Sequence, residues 1–177
     1  MKLDKPAGIA QFIVLLLTVA ALVLIFSPHQ DGAAGLAPVG RRIAMPDVTM
    51  PDLQGGTWSL SEHRGRVVLV NFWATWCPPC RREIPALLRL AKSRRDLDIA
   101  GIATDNGDAV IRQFVKAAGV TYPILLPPAS SLLVEAMESL PTTFLVDREG
   151  KIAKRYIGEI SEKTVRADVD LLLAERL

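Results

Sequence analysis

One junction limits the possible folds of this chain more than any other feature. It covers residues 66–93, with the sequence RVVLVNFWATWCPPCRREIPALLRLAKS. Residues 67–73 are apolar or β-branched apart from Asn71, which is typical of a strand buried on both faces of a sheet. The residues after Cys80 carry apolar side chains at helical spacing, so they predict a helix with one buried face. A doubly buried strand that leads directly into a helix predicts an α/β fold.

The remaining pattern of the sequence fits the same fold class. A Gly-Gly pair within residues 47–60 predicts a hairpin ahead of the junction. We predict further strands over residues 97–104, 122–126, 142–146 and 152–157, and further helices over residues 108–118, 131–137 and 161–177. The turn DREG joins the last two strands as an antiparallel hairpin. This order of elements predicts a mixed central sheet with helices on both faces.

The first 27 residues differ in kind from the rest of the chain. Residues 7–26 contain no charged side chain, and a helix needs about 20 apolar residues to cross a bilayer. A cleaved signal peptide remains the alternative, although its apolar region is usually only about 7–15 residues long. Lys2 and Lys5 precede the apolar run and favour a cytoplasmic N-terminus. We therefore predict four parts, namely a cytoplasmic N-terminus (1–6), a transmembrane signal anchor (7–27), a linker (28–42) and a folded domain (43–177).

Composition narrows the classes of partner. The formal net charge is only +2 and half of the residues are hydrophobic, so the chain can bury a core. It presents no basic stripe with interleaved aromatic residues of the kind that binds nucleic acid, and we expect no nucleic-acid partner. The chain has two cysteines, and both lie in the junction. If the domain lies outside the cytoplasm, a disulfide between them can persist.

The position of Cys77 between strand and helix has chemical consequences. The carboxyl edge of the strands is where open α/β folds place their active sites. The helix N-terminus offers unpaired N–H groups and the positive end of the helix dipole, which favour a thiolate, so we expect the pKa of Cys77 to lie below the usual value of about 8.5. Arg81 and Arg82 add to this effect if they fold back. Cys80, nearly one turn later, is then the more buried thiol that resolves a mixed disulfide.

Three other interpretations of the cysteine pair remain open on the residues alone. A structural disulfide that closes so short a loop constrains little of the unfolded chain. A structural zinc site needs four ligands, and neither His29 nor His63 is an evident third ligand. A copper(I) site needs only two thiolates, with Met45 and Met50 as further soft ligands, although both are expected to pack against the hairpin. Redox chemistry fits the spacing and the strand-to-helix position best.

The segment VVLVNFWATWCPPCRREIP resembles the thioredoxin superfamily, and most closely the membrane-anchored thioredoxin-like reductases of the TlpA/ResA group, which are redoxins related to AhpC/TSA proteins. The N-terminal part of the group's domain, with its extra hairpin, is similar to residues 51–77, PDLQGGTWSLSEHRGRVVLVNFWATWC. The C-terminal part of the group's domain is similar to residues 140–161, LPTTFLVDREGKIAKRYIGEIS. The resemblance covers about residues 43–177. It implies a thioredoxin-like fold with a helix–strand insertion over residues 108–126, and a location at the bacterial inner membrane with the domain in the periplasm or extracytoplasmic space.

The resemblance implies roles for the cysteines and for one distant proline. Cys77 and Cys80 match the nucleophilic and resolving cysteines of a redox-active disulfide. Pro141 matches the cis-proline that faces this disulfide and keeps metal off the thiolates. Because X-Pro bonds are cis in only about 5–6% of cases, the expectation of a cis bond rests on the resemblance. No cofactor and no metal are implied.

The same resemblance implies a docking surface for a partner polypeptide. Leu140 would present its backbone to an incoming peptide, which pairs with it as a short added strand, and Thr142 lies next to this position. Trp76 matches the tryptophan that flanks the pair and offers an apolar platform. Simple packing of the indole ring is the alternative.

Glu83 and Asn71 are the two polar residues of interest in the junction. On its own, Glu83 is best interpreted as a solvated residue of a helix, but the glutamate at this offset in the TlpA/ResA group tunes the cysteine pKa values and handles protons. As a carboxylate it accepts the Cys80 proton during resolution. Asn71 occupies the place where many thioredoxins carry a buried aspartate. Because an amide cannot take up a proton, that role passes to Glu83 or to water.

We predict a thiol–disulfide oxidoreductase outside the cytoplasm, and the resemblance implies that it reduces partner disulfides, in cytochrome c maturation or in extracytoplasmic redox homeostasis. The expected substrates are an apocytochrome c heme-binding cysteine pair or a cuproprotein assembly factor, and electrons arrive from a transmembrane thiol donor. Two alternatives come from other classes. One is a copper(I) metallochaperone for oxidase assembly. The other is a peroxiredoxin-like peroxidase, because the N-terminal hairpin is shared with peroxiredoxins.

Overall fold

The computed structural model describes residues 35–47, 49–105, 107–128, 131, 134 and 137–175. The strands are β1 (Thr49–Pro51), β2 (Thr57–Ser59), β3 (Val67–Trp73), β4 (Leu97–Ala103), β5 (Ile124–Leu125), β6 (Thr142–Val146) and β7 (Ile152–Ile157). The α-helices are α1 (Pro78–Ser93), α2 (Asp108–Ala118) and α3 (Glu162–Ala174), and two 3₁₀ helices span Val39–Arg41 and Leu60–His63.

The central sheet has five strands in the order β5-β4-β3-β6-β7. Strand β3 pairs in parallel with β4, which pairs in parallel with β5, whereas β6 runs antiparallel to both β3 and β7. Strands β1 and β2 form a separate antiparallel hairpin. The mixed sheet, the N-terminal hairpin and the helix–strand insertion α2–β5 confirm the predicted architecture.

Strand β3 separates two hydrophobic clusters because its side chains alternate between the two faces of the sheet. Val67, Leu69 and Trp73 belong to a first cluster together with buried residues from all three α-helices. Val68, Val70 and Phe72 belong to a second cluster. All seven residues of β3 are buried, as the apolar run predicts.

The second face of the sheet is covered by the N-terminal hairpin and by part of the segment predicted as a helix over residues 131–137. Besides Met45 and side chains of the sheet itself, the second cluster takes its buried residues from the β1–β2 hairpin and the 3₁₀ helix Leu60–His63. Val134 and Met137 also pack there. They belong to the helix predicted over residues 131–137, of which only 131, 134 and 137 are described.

The folded part of the chain begins before the predicted boundary at Ile43. The backbone N–H of Ala37 donates to the carbonyl of Ala153 over 2.7 Å. The buried guanidinium of Arg42 pairs with Asp147 at 3.1 Å and with Glu175 at 2.6 Å. The end of the segment predicted as a linker is therefore attached to the domain, because Arg42 meets two carboxylates that are distant in sequence.

Within the part of the chain that the structure describes, no helix is both long enough and apolar enough to span a bilayer. The predicted cytoplasmic N-terminus, the signal anchor over residues 7–27 and residues 28–34 of the predicted linker lie outside the described residues.

Candidate active site

Cys77 and Cys80 form a disulfide at the N-terminus of α1. Cys77 is the N-cap of the helix, and its Sγ accepts a hydrogen bond from the backbone N–H of Cys80 at 3.3 Å. In the reduced protein the same N–H group and the helix dipole would stabilise a Cys77 thiolate. Cys77 is 3% exposed and Cys80 is fully buried, which agrees with Cys77 being the sulfur that a partner reaches first.

Arg81 and Arg82 follow the disulfide but make their contacts elsewhere. The guanidinium of Arg81 lies over the ring of Phe114 in α2, 5.6 Å from its centroid. Arg82 pairs with Glu159 at 2.7 Å between Nε and Oε2. The expectation that these arginines fold back toward Cys77 is therefore not met, because each side chain has a partner on another element.

The loop between β3 and Cys77 is held by the loop that follows β4. The backbone N–H of Thr75 donates to the Asp105 carboxylate at 2.9 Å, and the Thr75 hydroxyl donates to the same carboxylate. The backbone N–H of Thr104 donates to the carbonyl of Trp73 at 2.9 Å. Asp105 is a supporting residue that the sequence alone did not single out, since its contact with Thr75 spans two elements.

The bond between Leu140 and Pro141 is cis, as the family resemblance implies. Pro141 directly precedes β6, whose first residue pairs with Phe72 near the carboxyl end of β3. Because β6 runs antiparallel to β3, Pro141 lies at the edge of the sheet from which the chain leaves toward Cys77. Leu140 is partly buried and packs against both hydrophobic clusters.

Thr142 supports this loop from within and does not offer a side chain to a partner. Its side chain is fully buried, and its hydroxyl donates to the carbonyl of Ser139 at 2.8 Å. Its position in β6 is paired with Phe72 on one side and Ile157 on the other. The predicted docking role of Thr142 therefore needs correction, because these neighbours leave its side chain no access to solvent.

Two exposed apolar side chains lie at the same end of the sheet as Pro141 and the disulfide. Trp76, next to the disulfide, is 68% exposed, which does not fit the alternative of simple packing. Ile157 is 61% exposed and sits at the carboxyl end of β7, opposite Thr142. Sequence analysis placed Ile157 in a strand but not in the site. The signal that could have identified Ile157 is its position. It is an apolar residue at the end of the edge strand β7, opposite Thr142, which directly follows Pro141.

Glu83 is almost completely buried, at 1% exposure, one turn after Cys80 on the same face of α1. Its Oε2 accepts a hydrogen bond from the backbone N–H of Ile160 at 3.0 Å, and its Oε1 accepts one from the Asn71 amide at 2.7 Å. The interpretation of Glu83 as a solvated helix residue is therefore wrong. Burial is the largest effect and raises the pKa of Glu83 from 4.5 to about 7, against the opposing effect of the two hydrogen bonds.

Asn71 lies in β3 and is itself 1% exposed. Its Nδ2 donates to Oε1 of Glu83 and also to the hydroxyl oxygen of Thr143, at 2.9 Å. Thr143 is the residue directly opposite Asn71 in the β3–β6 ladder. The amide thus links the helix that carries the cysteines to the strand that follows Pro141.

One turn, Gly158–Ile160, contacts three parts of the site. The N–H of Gly158 donates to the carbonyl of Pro141 at 2.9 Å. The carboxylate of Glu159 pairs with Arg82, and the N–H of Ile160 donates to Glu83. Gly158 has φ of 86°, a backbone conformation that glycine adopts without strain. The turn after β7 therefore fixes the distance between α1 and the Pro141 loop.

The contacts of the described residues do not favour a metal site. No group of three or more His, Cys, Asp or Glu side chains among them is arranged to hold a metal ion. Met45 and Met50 are buried in the second cluster, whereas both cysteines lie in the first, on the other face of the sheet. His63 hydrogen-bonds to Asp98 at 2.8 Å. Neither these two methionines nor His63 is therefore placed beside the cysteines as a third copper(I) ligand.

Comparison with known proteins agrees with the fold and with thiol–disulfide exchange as the activity. The model of the AhpC/TSA family matches residues 42–155. The Thioredoxin-like protein YneN of Bacillus subtilis is 33% identical over 130 residues, which cover 71% of this chain and 76% of that protein. The Thiol-disulfide oxidoreductase ResA of the same organism is 30% identical over 142 residues, or 78% and 79% of the two chains.

A solved structure extends the comparison to the backbone. The secreted thiol-disulfide isomerase from Corynebacterium glutamicum superimposes with a TM-score of 0.71 at 25% identity, and the match covers 79% of this chain and 91% of that one. The chain therefore belongs to the AhpC/TSA family and is a thiol–disulfide oxidoreductase of the TlpA/ResA-like branch of the thioredoxin superfamily.

Proposed function

We propose that this oxidoreductase reduces disulfides of partner proteins, with Cys77 as the attacking thiolate, Cys80 as the resolving thiol and Glu83 as the group that takes the Cys80 proton. The observation that carries the proposal is the buried Glu83 carboxyl group, which lies one turn from Cys80 and whose pKa is raised to about 7. A base is most useful when its pKa lies near the working pH, because it is then ionised and still able to bind a proton.

The reaction proceeds in two exchanges. The Cys77 thiolate attacks one sulfur of the partner disulfide, so that a mixed disulfide forms and the partner's second sulfur leaves as a thiolate. Glu83 then takes the proton of Cys80, and the Cys80 thiolate attacks the Cys77 sulfur. The partner's first sulfur leaves as a thiolate and the Cys77–Cys80 disulfide forms. The two partner thiolates take up two protons, and two electrons pass from this chain to the partner.

The partner approaches from the edge of the sheet where the disulfide lies. Trp76 and Ile157 offer exposed apolar side chains on this edge. We propose that the peptide around the partner disulfide pairs with the backbone at Leu140 and packs against these two side chains, since an extended segment gains main-chain hydrogen bonds as well as apolar contact.

We further propose that the domain works outside the cytoplasm, held by a transmembrane anchor over residues 7–27, at the inner membrane of a bacterium. The support is the charge-free apolar run and the two lysines that precede it. The relative from Corynebacterium glutamicum is described as secreted. The proposed electron donor is a transmembrane thiol carrier, which reduces the Cys77–Cys80 disulfide after each turnover.

The proposed substrates are an apocytochrome c heme-binding cysteine pair or a cuproprotein assembly factor, as the likeness to the TlpA/ResA group implies. Direction toward reduction is supported by the same likeness, and by the CPPC loop, which lacks the histidine common in strong oxidants.

The test is to trap the partner in cells. In the full chain with Cys80→Ser, Cys77 still attacks but no resolving thiol follows, so stable mixed disulfides accumulate, and mass spectrometry of the eluted proteins names the partner. The matched control is Cys77→Ser, which retains one cysteine but lacks the nucleophile. If Cys80→Ser, folded by circular dichroism, recovers no partner above the Cys77→Ser level, the proposed exchange mechanism is wrong.

A further inference from the structure

Asn71 has contacts that a residue serving only to fill the core would not need. Both of its amide N–H groups have acceptors, Glu83 Oε1 at 2.7 Å and Thr143 Oγ1 at 2.9 Å, and all three residues are buried. Such a buried amide is costly unless its hydrogen bonds are made. Each bond fixes the amide with respect to a different element, α1 on one side and β6 on the other.

The carboxyl group of Glu83 is held from two directions. Asn71 donates to Oε1, and the N–H of Ile160 donates to Oε2 at 3.0 Å. The carboxyl plane is thereby fixed relative to α1, so its distance to Cys80 does not depend on a freely rotating side chain. Catalytic groups gain efficiency when such second contacts lock their orientation.

We propose that Asn71 is a positioning residue of the thiol–disulfide exchange, because its amide holds the Glu83 carboxylate in the orientation from which it takes the proton of Cys80. The inference rests on the proposed function, since it assigns Asn71 a task only if Glu83 takes that proton. It also gives a reason for an amide at a buried position of β3, where a second carboxylate would lie within hydrogen-bond distance of Glu83.

The electrostatic surroundings of Glu83 determine the direction of the expected effect. Among the described residues, the titratable groups around Glu83 include Cys80, one turn before it on α1, Tyr122, which precedes β5, and Glu159, which precedes α3. The charge of Glu159 raises the pKa of Glu83, whereas the hydrogen bonds from Ile160 and Asn71 lower it. Burial and the charge of Glu83 in turn raise the pKa of the Tyr122 phenol. Removing the Asn71 bond therefore makes Glu83 a carboxylate only at higher pH.

The experiment follows the two exchanges separately in the reduced full chain, purified in detergent. Dithiobis(nitrobenzoate), used in stopped flow, releases one coloured thiolate when Cys77 attacks and a second when Cys80 resolves the mixed disulfide. In Asn71→Leu, we expect the pH midpoint of the second phase to rise by about one to two pH units, the range set by loss of a hydrogen bond to a charged group. The first phase should change little.

Two further variants separate positioning from packing. In Thr143→Val the bond from Asn71 to Glu83 remains but the other N–H of the amide loses its acceptor, so thermal stability falls and the pH midpoint stays at the wild-type value. In Asn71→Asp the shape is retained and two carboxyl groups share one proton, so the midpoint again rises. This variant carries the test if Asn71→Leu does not fold.

The outcomes distinguish the inference from the proposed function. If Asn71→Leu and Asn71→Asp keep the wild-type midpoint while Glu83→Gln loses the midpoint near pH 7, Glu83 takes the proton and Asn71 only packs, so the inference fails alone. A midpoint in Thr143→Val that rises as far as in Asn71→Leu contradicts the inference as well. If Glu83→Gln leaves the second phase unchanged, the proton step of the proposed function fails and the inference fails with it.

Discussion

The site has two halves that differ in exposure and in chemistry. The accessible half consists of Trp76, Cys77 and Ile157, with two exposed apolar side chains beside the more exposed sulfur. The buried half consists of Cys80, Glu83 and Asn71, each at most 1% exposed. The two halves meet at the disulfide at the N-terminus of α1, yet only the first can be touched by a partner.

On the proposed mechanism, the difference means that partner recognition and proton transfer are carried out by different side chains around one disulfide. In the proposed mechanism a partner protein contacts the apolar surface and Cys77, whereas the proton of Cys80 passes to a buried carboxylate whose surroundings are the same for every partner. Burial in a low-dielectric environment raises the pKa of Glu83. The pKa of an exposed carboxylate would not be raised in this way. Variants in the two halves should therefore have separable effects.

The largest expected effect is on stability, and it comes from the buried half. Between pH 4.5 and about 7, folded Glu83 holds a proton that the unfolded chain has lost, so stability falls as the pH rises through this window. A shift of this size corresponds to about 3 kcal/mol. Urea unfolding of the oxidised full chain at pH 4 and pH 8 should show this loss in the wild type and not in Glu83→Gln. Equal pH dependence in both proteins would contradict the prediction.

The next effect is on the rate of resolution. Replacing the base by an amide in Glu83→Gln should slow the Cys80 step at pH 8 by about 100-fold, the lower end of what general bases contribute. The attack by Cys77 should stay within about threefold, since Cys77 Sγ is stabilised by the helix N-terminus and not by Glu83. Stopped-flow kinetics resolve both steps. Equal slowing of both steps would show that the two halves are not separable.

A smaller effect is expected from the accessible half. The double variant Trp76→Ala, Ile157→Ala removes exposed apolar surface, so kcat/KM for a protein disulfide should fall about tenfold, which is about 1.4 kcal/mol of lost binding. Reduction of dithiobis(nitrobenzoate) should be unchanged because so small a disulfide needs no docking surface. Leu171→Ala, which removes an exposed side chain on α3, is the matched control. Loss of both activities would mean that these residues support the structure of the site.

The smallest effect is expected at the salt bridge between Arg82 and Glu159. Both side chains are largely exposed, at 60% and 41%, and such ion pairs contribute about 0–1 kcal/mol. Arg82→Ala should therefore leave the midpoint of urea unfolding nearly unchanged and the second kinetic phase within about twofold. A large loss in either measurement would mean that the Gly158–Ile160 turn depends on this pair and not on its backbone hydrogen bonds.

Local pattern was sufficient to predict most of the fold. The bounds of α2, β6 and β7 agree with prediction because periodic apolar residues end at clear signals, such as Gly119, which closes α2 with φ of 65°. The disulfide and the cis bond before Pro141 were predicted from the resemblance to the TlpA/ResA group, and the structure has both.

Long-range partners were not predictable from the same patterns. The hydrogen bond between Asn71 and Glu83 joins a strand to a helix, and the one between Ile160 and Glu83 spans 77 residues. Residue type alone therefore placed Glu83 in solvent. Ile157 was missed for the same reason, since its exposure beside the Pro141 loop depends on the register of β6 and β7.

The most direct test is a carbon-detected NMR titration of the Glu83 carboxyl group in the oxidised full chain, assigned by comparison with Glu83→Gln. The buried site predicts a midpoint near pH 7, set by burial against the hydrogen bonds from Asn71 and Ile160. A midpoint near 4.5, the ordinary value for glutamate, would contradict the claim that the buried half of the site holds a carboxyl group ready to exchange a proton at neutral pH.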